Sequence, residues 1–214
     1  MKKLLIPLII TALINIPILS AIAAESEIEI GFLAPTTPVS PVDPEDPSVE
    51  SGELGTGQPG PLSLDWVPRL GFGTANEISP QISEHVTTTQ KPYVQVSDLR
   101  GTGEGWKLTA SLRPFMQGAA ESLKGSYITF ETATTKTAAA AMTAPIPATG
   151  IMLTSDNEEI NIATAGSTEN QGMGTWVIRW FSGEDNYIKL VVPRSAATVG
   201  LHSTVITWTL HNAP

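Results

Sequence analysis

The chain has no cysteine among its 214 residues. That excludes disulfides, thiol nucleophiles and thiolate metal sites, so a fold of this composition must rely on an ordinary core. Bases are scarce, with 12 Lys and Arg against 21 Asp and Glu. Nucleic acid demands a basic face, as do anionic lipids and teichoic polymers, so electrostatics drive the chain onto none of them. After Leu19 no apolar run approaches the length of a membrane helix, and no membrane span is expected in the mature chain. Catalytic grammar is missing as well. His85, His202 and His211 are scattered, with neither Gly-x-Ser-x-Gly nor His-Glu-x-x-His around them. Asp156-Asn157-Glu158-Glu159 offers hard oxygen ligands without the spacing of a calcium loop, and reads as a solvated acidic turn. No catalytic, metal or cofactor-binding residue is assigned.

What is present begins with the leader. Met1-Lys2-Lys3 is a basic start, Leu4 to Leu19 an apolar run broken by Pro7 and Pro17, and Ala21 and Ala23 sit where a signal peptidase needs small residues. Residues 1–24 are predicted to be a secretory signal peptide. Without it the chain has 10 bases and 21 acids, a net −11, and eight of those acids lie between Glu25 and Glu53 where no base occurs. Prolines at 35, 38, 41, 44 and 47 recur every third residue, the period of polyproline II. Residues 25–61 are therefore expected to form a stiff, acidic, solvated linker. Residues 62–214 hold 13 acids and 10 bases and are long enough for one core domain.

Within 62–214 the hydrophobic period is two. Strands are expected at Leu62 to Val67, Tyr93 to Val96, Trp106 to Leu112, Leu123 to Phe130, Gly174 to Phe181, Tyr187 to Val192 and Ser203 to Leu210, with weaker ones at Ile151 to Leu153 and Glu159 to Ala163. Ile78 to Thr89 and Thr132 to Thr143 read as loops. The turn chemistry of Ser182 to Asn186 predicts a hairpin between the strands on either side. Short strands and no amphipathic helix predict an all-β antiparallel sandwich or barrel-like fold.

Two strands share one grammar. Trp106, Leu108, Ala110 and Leu112 fall on one face, and so do Ile206, Trp208 and Leu210. An indole one pleat from a leucine, with Thr, Ser or Lys behind, is how a buried ring is written, so Trp106 and Trp208 are expected in the core. Trp176, Ile178 and Trp180 also share a face, on a strand with few polar positions. That strand is either central and covered, or it presents Trp176 and Trp180 as an aromatic docking patch. Gly101, Gly103 and Gly105 superficially suggest a phosphate cradle, but a strand follows them rather than a helix. A structural turn in which Asp98 pairs with Arg100 or caps amides is the simpler reading, with partner recognition by Asp98 and Arg100 as the alternative.

The paired Trp-x-Leu motifs resemble the WxL domain of Gram-positive cell-surface proteins. Matching features are Asp98-Leu99-Arg100-Gly101-Thr102-Gly103 before the first motif, Phe72-Gly73, Val192-Pro193 and the closing Ala213-Pro214. The resemblance covers residues 62–214. It implies a secreted, non-catalytic protein attached non-covalently to the cell wall, through peptidoglycan or through membrane-anchored WxL-interacting surface proteins, as a subunit of a surface complex. A secreted hydrolase of wall or plant polysaccharide, and an adhesin for host matrix, are the competing readings.

Overall fold

A computed structural model describes residues 24–139, 142–168 and 170–212; the expected signal peptide and the closing Ala213-Pro214 lie outside these or nearly so. Leu33–Pro214 form one unit. Among its described residues it contains sixteen strands and no helix. In chain order they are β1 (Leu62–Trp66), β2 (Ser83–Val86), β3 (Tyr93–Asp98), β4 (Trp106–Leu112), β5 (Phe115–Gln117), β6 (Ala120–Ser122), β7 (Tyr127–Phe130) and β8 (Thr134–Lys136). There follow β9 (Ile146–Pro147), β10 (Ile151–Thr154), β11 (Ile160–Ala165), β12 (Gly174–Arg179), β13 (Phe181–Ser182), β14 (Asp185–Asn186), β15 (Ile188–Val192) and β16 (Ile206–Asn212).

Three four-stranded sheets result, ordered β1-β3-β12-β8, β10-β7-β15-β2 and β16-β4-β11-β9, with two-stranded ribbons β5-β6 and β13-β14. The ladders are antiparallel, and the fold is all-β as its patterning implied. The two Trp-x-Leu strands pair with each other. Leu210 lies opposite Leu108, Trp208 opposite Ala110 and Asn212 opposite Trp106. Both indoles thus stand on one face of the ladder, on either side of a leucine pair. That face joins Val94, Val96, Ile128, Phe130, Leu153, Ile178 and Ile188 in one buried cluster.

Three expectations need correction. The hairpin between Gly174–Phe181 and Tyr187–Val192 does not form as such, because β12 pairs with β3 and β8 while β15 pairs with β7 and β2. The chain leaves the first sheet at Trp180, whose amide bonds to the Pro92 carbonyl at 3.0 Å, and only the β13-β14 ribbon closes the turn. A strand with apolar residues on both faces can serve two layers, and this one changes layer at its indole. Second, Leu123 to Ser126 is a tight turn rather than strand, with Leu123 at φ 45° and the Ser126 amide on the Leu123 carbonyl at 3.0 Å. Third, the loops expected at Ile78 to Thr89 and Thr132 to Thr143 contain β2 and β8, polar edge strands whose outer faces need no apolar residues.

The segment expected to be a solvated linker is packed over part of its length. Pro41 and Pro44 are buried, and Thr56 donates its amide to the Asp65 carbonyl at 2.8 Å. The Gln95 side chain accepts from the Val42 amide at 2.7 Å and donates to the Ser40 carbonyl at 3.1 Å. Of the prolines spaced by three, Pro41 and Pro44 are covered while Pro38 stays exposed, and the chain turns at Asp46 so that Val42 bridges Glu50. Beneath it is a buried polar layer. The Asp65 carboxylate accepts from Ser63 Oγ at 2.6 Å, Ser97 Oγ at 2.6 Å and Gln95 Nε2 at 2.9 Å. Burial pushes the Asp65 carboxyl above its ordinary value, against those three hydrogen bonds. Tyr93, stacked on Trp66 at 5.7 Å and pushed up to about 12 by burial, donates its hydroxyl to the Val42 carbonyl at 3.1 Å.

Candidate functional site

The two Trp-x-Leu motifs, alike in sequence, have different surroundings. Trp106 and Leu108 are each 0% exposed. The Trp106 indole N–H donates to the Gly172 carbonyl at 3.1 Å, and a methyl group on Gly172 (φ 70°) would lie 2.4 Å from Ala165 Cβ and 2.8 Å from the indole nitrogen. Gly105 (φ 79°) starts the strand where a Cβ would meet the Ala165 carbonyl at 2.2 Å. The ring is thus enclosed on its near side by backbone that only glycine permits.

Trp208 and Leu210 pack against the same cluster but stay half-buried. β16 is the edge of its sheet, so nothing continues the ladder beyond it. Trp208 meets Phe130 edge-on at 6.0 Å and Trp180 at 6.3 Å, and its remaining surface opens into a groove of about 1480 Å³. The floor comprises Ile128, Leu190, Val192, Phe115, Ile206 and Trp208. One wall is the loop from Val67 to Ser79, the other the loop from Ala197 to Val205.

Hydrogen bonds set both walls. The Gly71 carbonyl accepts from the Thr88 amide at 2.8 Å and from Thr87 Oγ1 at 2.9 Å, and Thr89 Oγ1 donates to the Arg69 carbonyl at 2.7 Å. Opposite, Gln117 Nε2 donates to the Val199 carbonyl at 2.7 Å. Ser203 and Met116 exchange two backbone bonds of 2.9 and 2.7 Å. His202 is held through both nitrogens, by Ser122 Oγ at 3.0 Å and the Thr198 carbonyl at 2.9 Å. With its backbone so committed, the loop leaves Val199 at 87% and Leu201 at 74% exposure on the rim. Apolar residues held in water beside an apolar floor mark a surface built for contact. Among the lining residues the ionisable groups are Arg69, Glu77, His85 and His202, so the groove offers a single carboxylate.

The other candidate residues lie elsewhere. Trp176 is 3% exposed and Trp180 0%, which overturns the reading of an exposed aromatic patch there; both are core. Their strand is the covered one, between β3 and β8. Arg100 and Asp98 do pair. Arg100 Nε donates to Asp98 Oδ1 at 2.9 Å and Nη2 to Asp98 Oδ2 at 2.7 Å, while Nη2 also reaches the Gly105 carbonyl at 2.7 Å. Nη1 serves Glu104 at 3.2 Å and the Asn212 side chain. A guanidinium has five N–H donors, and all five are spent inside the domain. Hydrogen bonding to Asp98 raises the Arg100 pKa. The arrangement fastens the glycine turn to the far end of β16 and leaves Arg100 nothing with which to recognise a ligand. Asp156 accepts from Thr154 Oγ1 at 2.8 Å and from the Glu158 amide at 3.1 Å, and that amide lowers its carboxyl pKa. It closes a surface turn.

Sequence patterning missed the groove because its walls are loops. The signal was there in Val199 and Leu201, apolar residues stranded among Ser, Thr and Gly, and in the short apolar stretch Leu70 to Phe72. Residues 20–214 match the family described as WxL domain surface cell wall-binding. No curated protein and no solved structure matches the chain.

Proposed function

The chain belongs to the WxL domain surface cell wall-binding family, and from that premise we propose that it is a non-catalytic subunit of a surface complex whose groove beside Trp208 docks an extended, apolar protein segment. The family makes it a cell-surface, cell-wall-binding protein. The finer reading joins non-covalent attachment to peptidoglycan with docking onto a membrane-anchored WxL-interacting protein.

The observation that carries it is the lining of the groove. Its floor is aliphatic and aromatic, from Ile128 and Leu190 to Trp208, with Leu201 on the rim, while Arg69, Asn76, Glu77, His85 and His202 place polar groups along the walls. An extended apolar protein segment is what a floor of this kind covers best, with the polar walls serving its backbone. Hydrolysis of a glycosidic bond by the usual route needs two carboxylates, and Glu77 stands alone. Host-matrix adhesion has no specific feature in its favour.

The test is cosedimentation of the full mature chain with native cell envelopes and with peptidoglycan stripped of protein. The expected result is retention on both without release of soluble fragments. Leu201→Asp with Val199→Asp should lower retention on native envelopes to the level seen on stripped peptidoglycan. Undiminished retention of that variant would remove the groove from the account, and soluble sugar fragments would make the protein an enzyme.

A further inference from the structure

Beside the groove, β16 presents an unpaired edge. The Arg113 amide bonds to the Val205 carbonyl at 3.0 Å, so Val205 directs its backbone groups toward β4. Backbone groups alternate along a strand, and those of Thr207 and Thr209 point the same way. The N–H and C=O groups of Ile206, Trp208 and Leu210 therefore point outward, and among the described residues no backbone partner meets them. An unpaired edge running beside an apolar groove is what a sheet offers an incoming strand.

The same chain contains a segment shaped for that place. Glu25-Ser26-Glu27-Ile28-Glu29-Ile30-Gly31-Phe32 alternates, with Ile28, Ile30 and Phe32 on one side and Glu27 and Glu29 on the other. It forms no strand, and Ile28 and Phe32 are 88% and 86% exposed. Apolar alternation of this kind is normally written for a residue set that ends up covered. Laid along β16, the segment would set Ile28, Ile30 and Phe32 on the groove side with Ile206, Trp208 and Leu210. Glu27 and Glu29 would then face water beside Thr207 and Thr209.

We propose that residues 26–33 of one copy add as a strand to the β16 edge of a second copy and fill its groove, so that the protein assembles head to tail. The inference rests on the groove being a docking site for an extended protein segment, and it names the occupant. A second copy is favoured over the same chain because Pro35, Pro38 and Pro41 make the connection semi-rigid and oppose a fold-back. The contact is heterologous, since the donated segment and the accepting groove are different surfaces, so the assembly does not close at a dimer.

The test uses the chain from Glu25 onward in sedimentation velocity at rising concentration. Species larger than a dimer are expected. Ile28→Asp with Ile30→Asp removes the donor, and Val199→Asp with Leu201→Asp removes the acceptor; each variant alone should be monomeric. An equimolar mixture of the two should give a dimer and nothing larger, because one intact donor still finds one intact acceptor. In a cysteine-free chain, Glu29→Cys mixed with Thr207→Cys, which the pairing puts on one face, should oxidise to a crosslinked heterodimer. A monomer at every concentration, or association unaffected by the donor variant, would overturn the proposal. So would a chain carrying both cysteines that crosslinks only within itself. A native chain that stays monomeric while its wall retention is intact would sink this proposal and leave the cell-wall reading standing.

Discussion

The two Trp-x-Leu motifs are written alike and pair with each other, yet one is interior and the other is a boundary. Trp106 lies in β4, between β11 and β16, with Gly172 capping its ring. Trp208 lies in β16, which is hydrogen-bonded to a neighbouring strand on one side only, and its ring is shared between the core and the groove. Alternation reports which face a side chain takes. It carries no information about whether the strand has a partner on both sides, and that is what separates a scaffold residue from one that meets a ligand. The duplicated motif is thus interior in one copy and boundary in the other, and the proposed docking site lies at the boundary.

The largest effect expected is at the interior motif. Trp106→Ala should cost about 3–5 kcal/mol, because it empties a fully enclosed cavity beside rigid backbone, and urea denaturation would show it. A loss near that at Trp208 would erase the contrast between the two motifs. Next is Arg100→Ala, which strands the buried Asp98 carboxylate and unties Asn212. About 3 kcal/mol is expected in the same assay, with binding lost only to the extent that folding is. A binding defect in fully folded Arg100→Ala would restore the recognition role that its geometry denies it.

Smaller still is the stability change at Trp208→Ala, about 1–2 kcal/mol for a half-buried ring that packs on the core cluster, Phe130 and Trp180 among it. Its effect on retention should be out of proportion to that. The smallest effect belongs to Asp65, under the proline edge and far from both motifs in role. Its folded pKa is raised, so its contribution to stability is full below the unfolded value and is lost as pH rises through the folded one. The urea midpoint of the native chain relative to Asp65→Asn should therefore rise as pH falls from about 7 to about 4. A flat difference would mean that the Ser63, Ser97 and Gln95 hydrogen bonds cancel the burial.

Much of this molecule was legible in its residues. The alternations of Tyr93 to Val96 and of both Trp-x-Leu strands gave β3, β4 and β16, and Asp98 with Arg100 was readable as a turn clamp. What failed did so for physical reasons. β2, β8 and β9 are too short or too polar for a period to register. Trp180 continues the pattern of β12 in sequence while the chain changes sheet in space. Prolines spaced by three signal stiffness equally well whether their edge faces water or, as at Pro41 and Pro44, a sheet. The groove was illegible because its walls are irregular loops placed by hydrogen bonds from Thr87, Thr89 and Gln117, which no local pattern announces.

The most direct measurement is retention of Trp208→Ala on native cell envelopes, scored beside its unfolding curve. The account expects a cooperatively folded protein that no longer holds to the envelope beyond its level on protein-stripped peptidoglycan. A folded Trp208→Ala chain that is retained as well as the native one would contradict it.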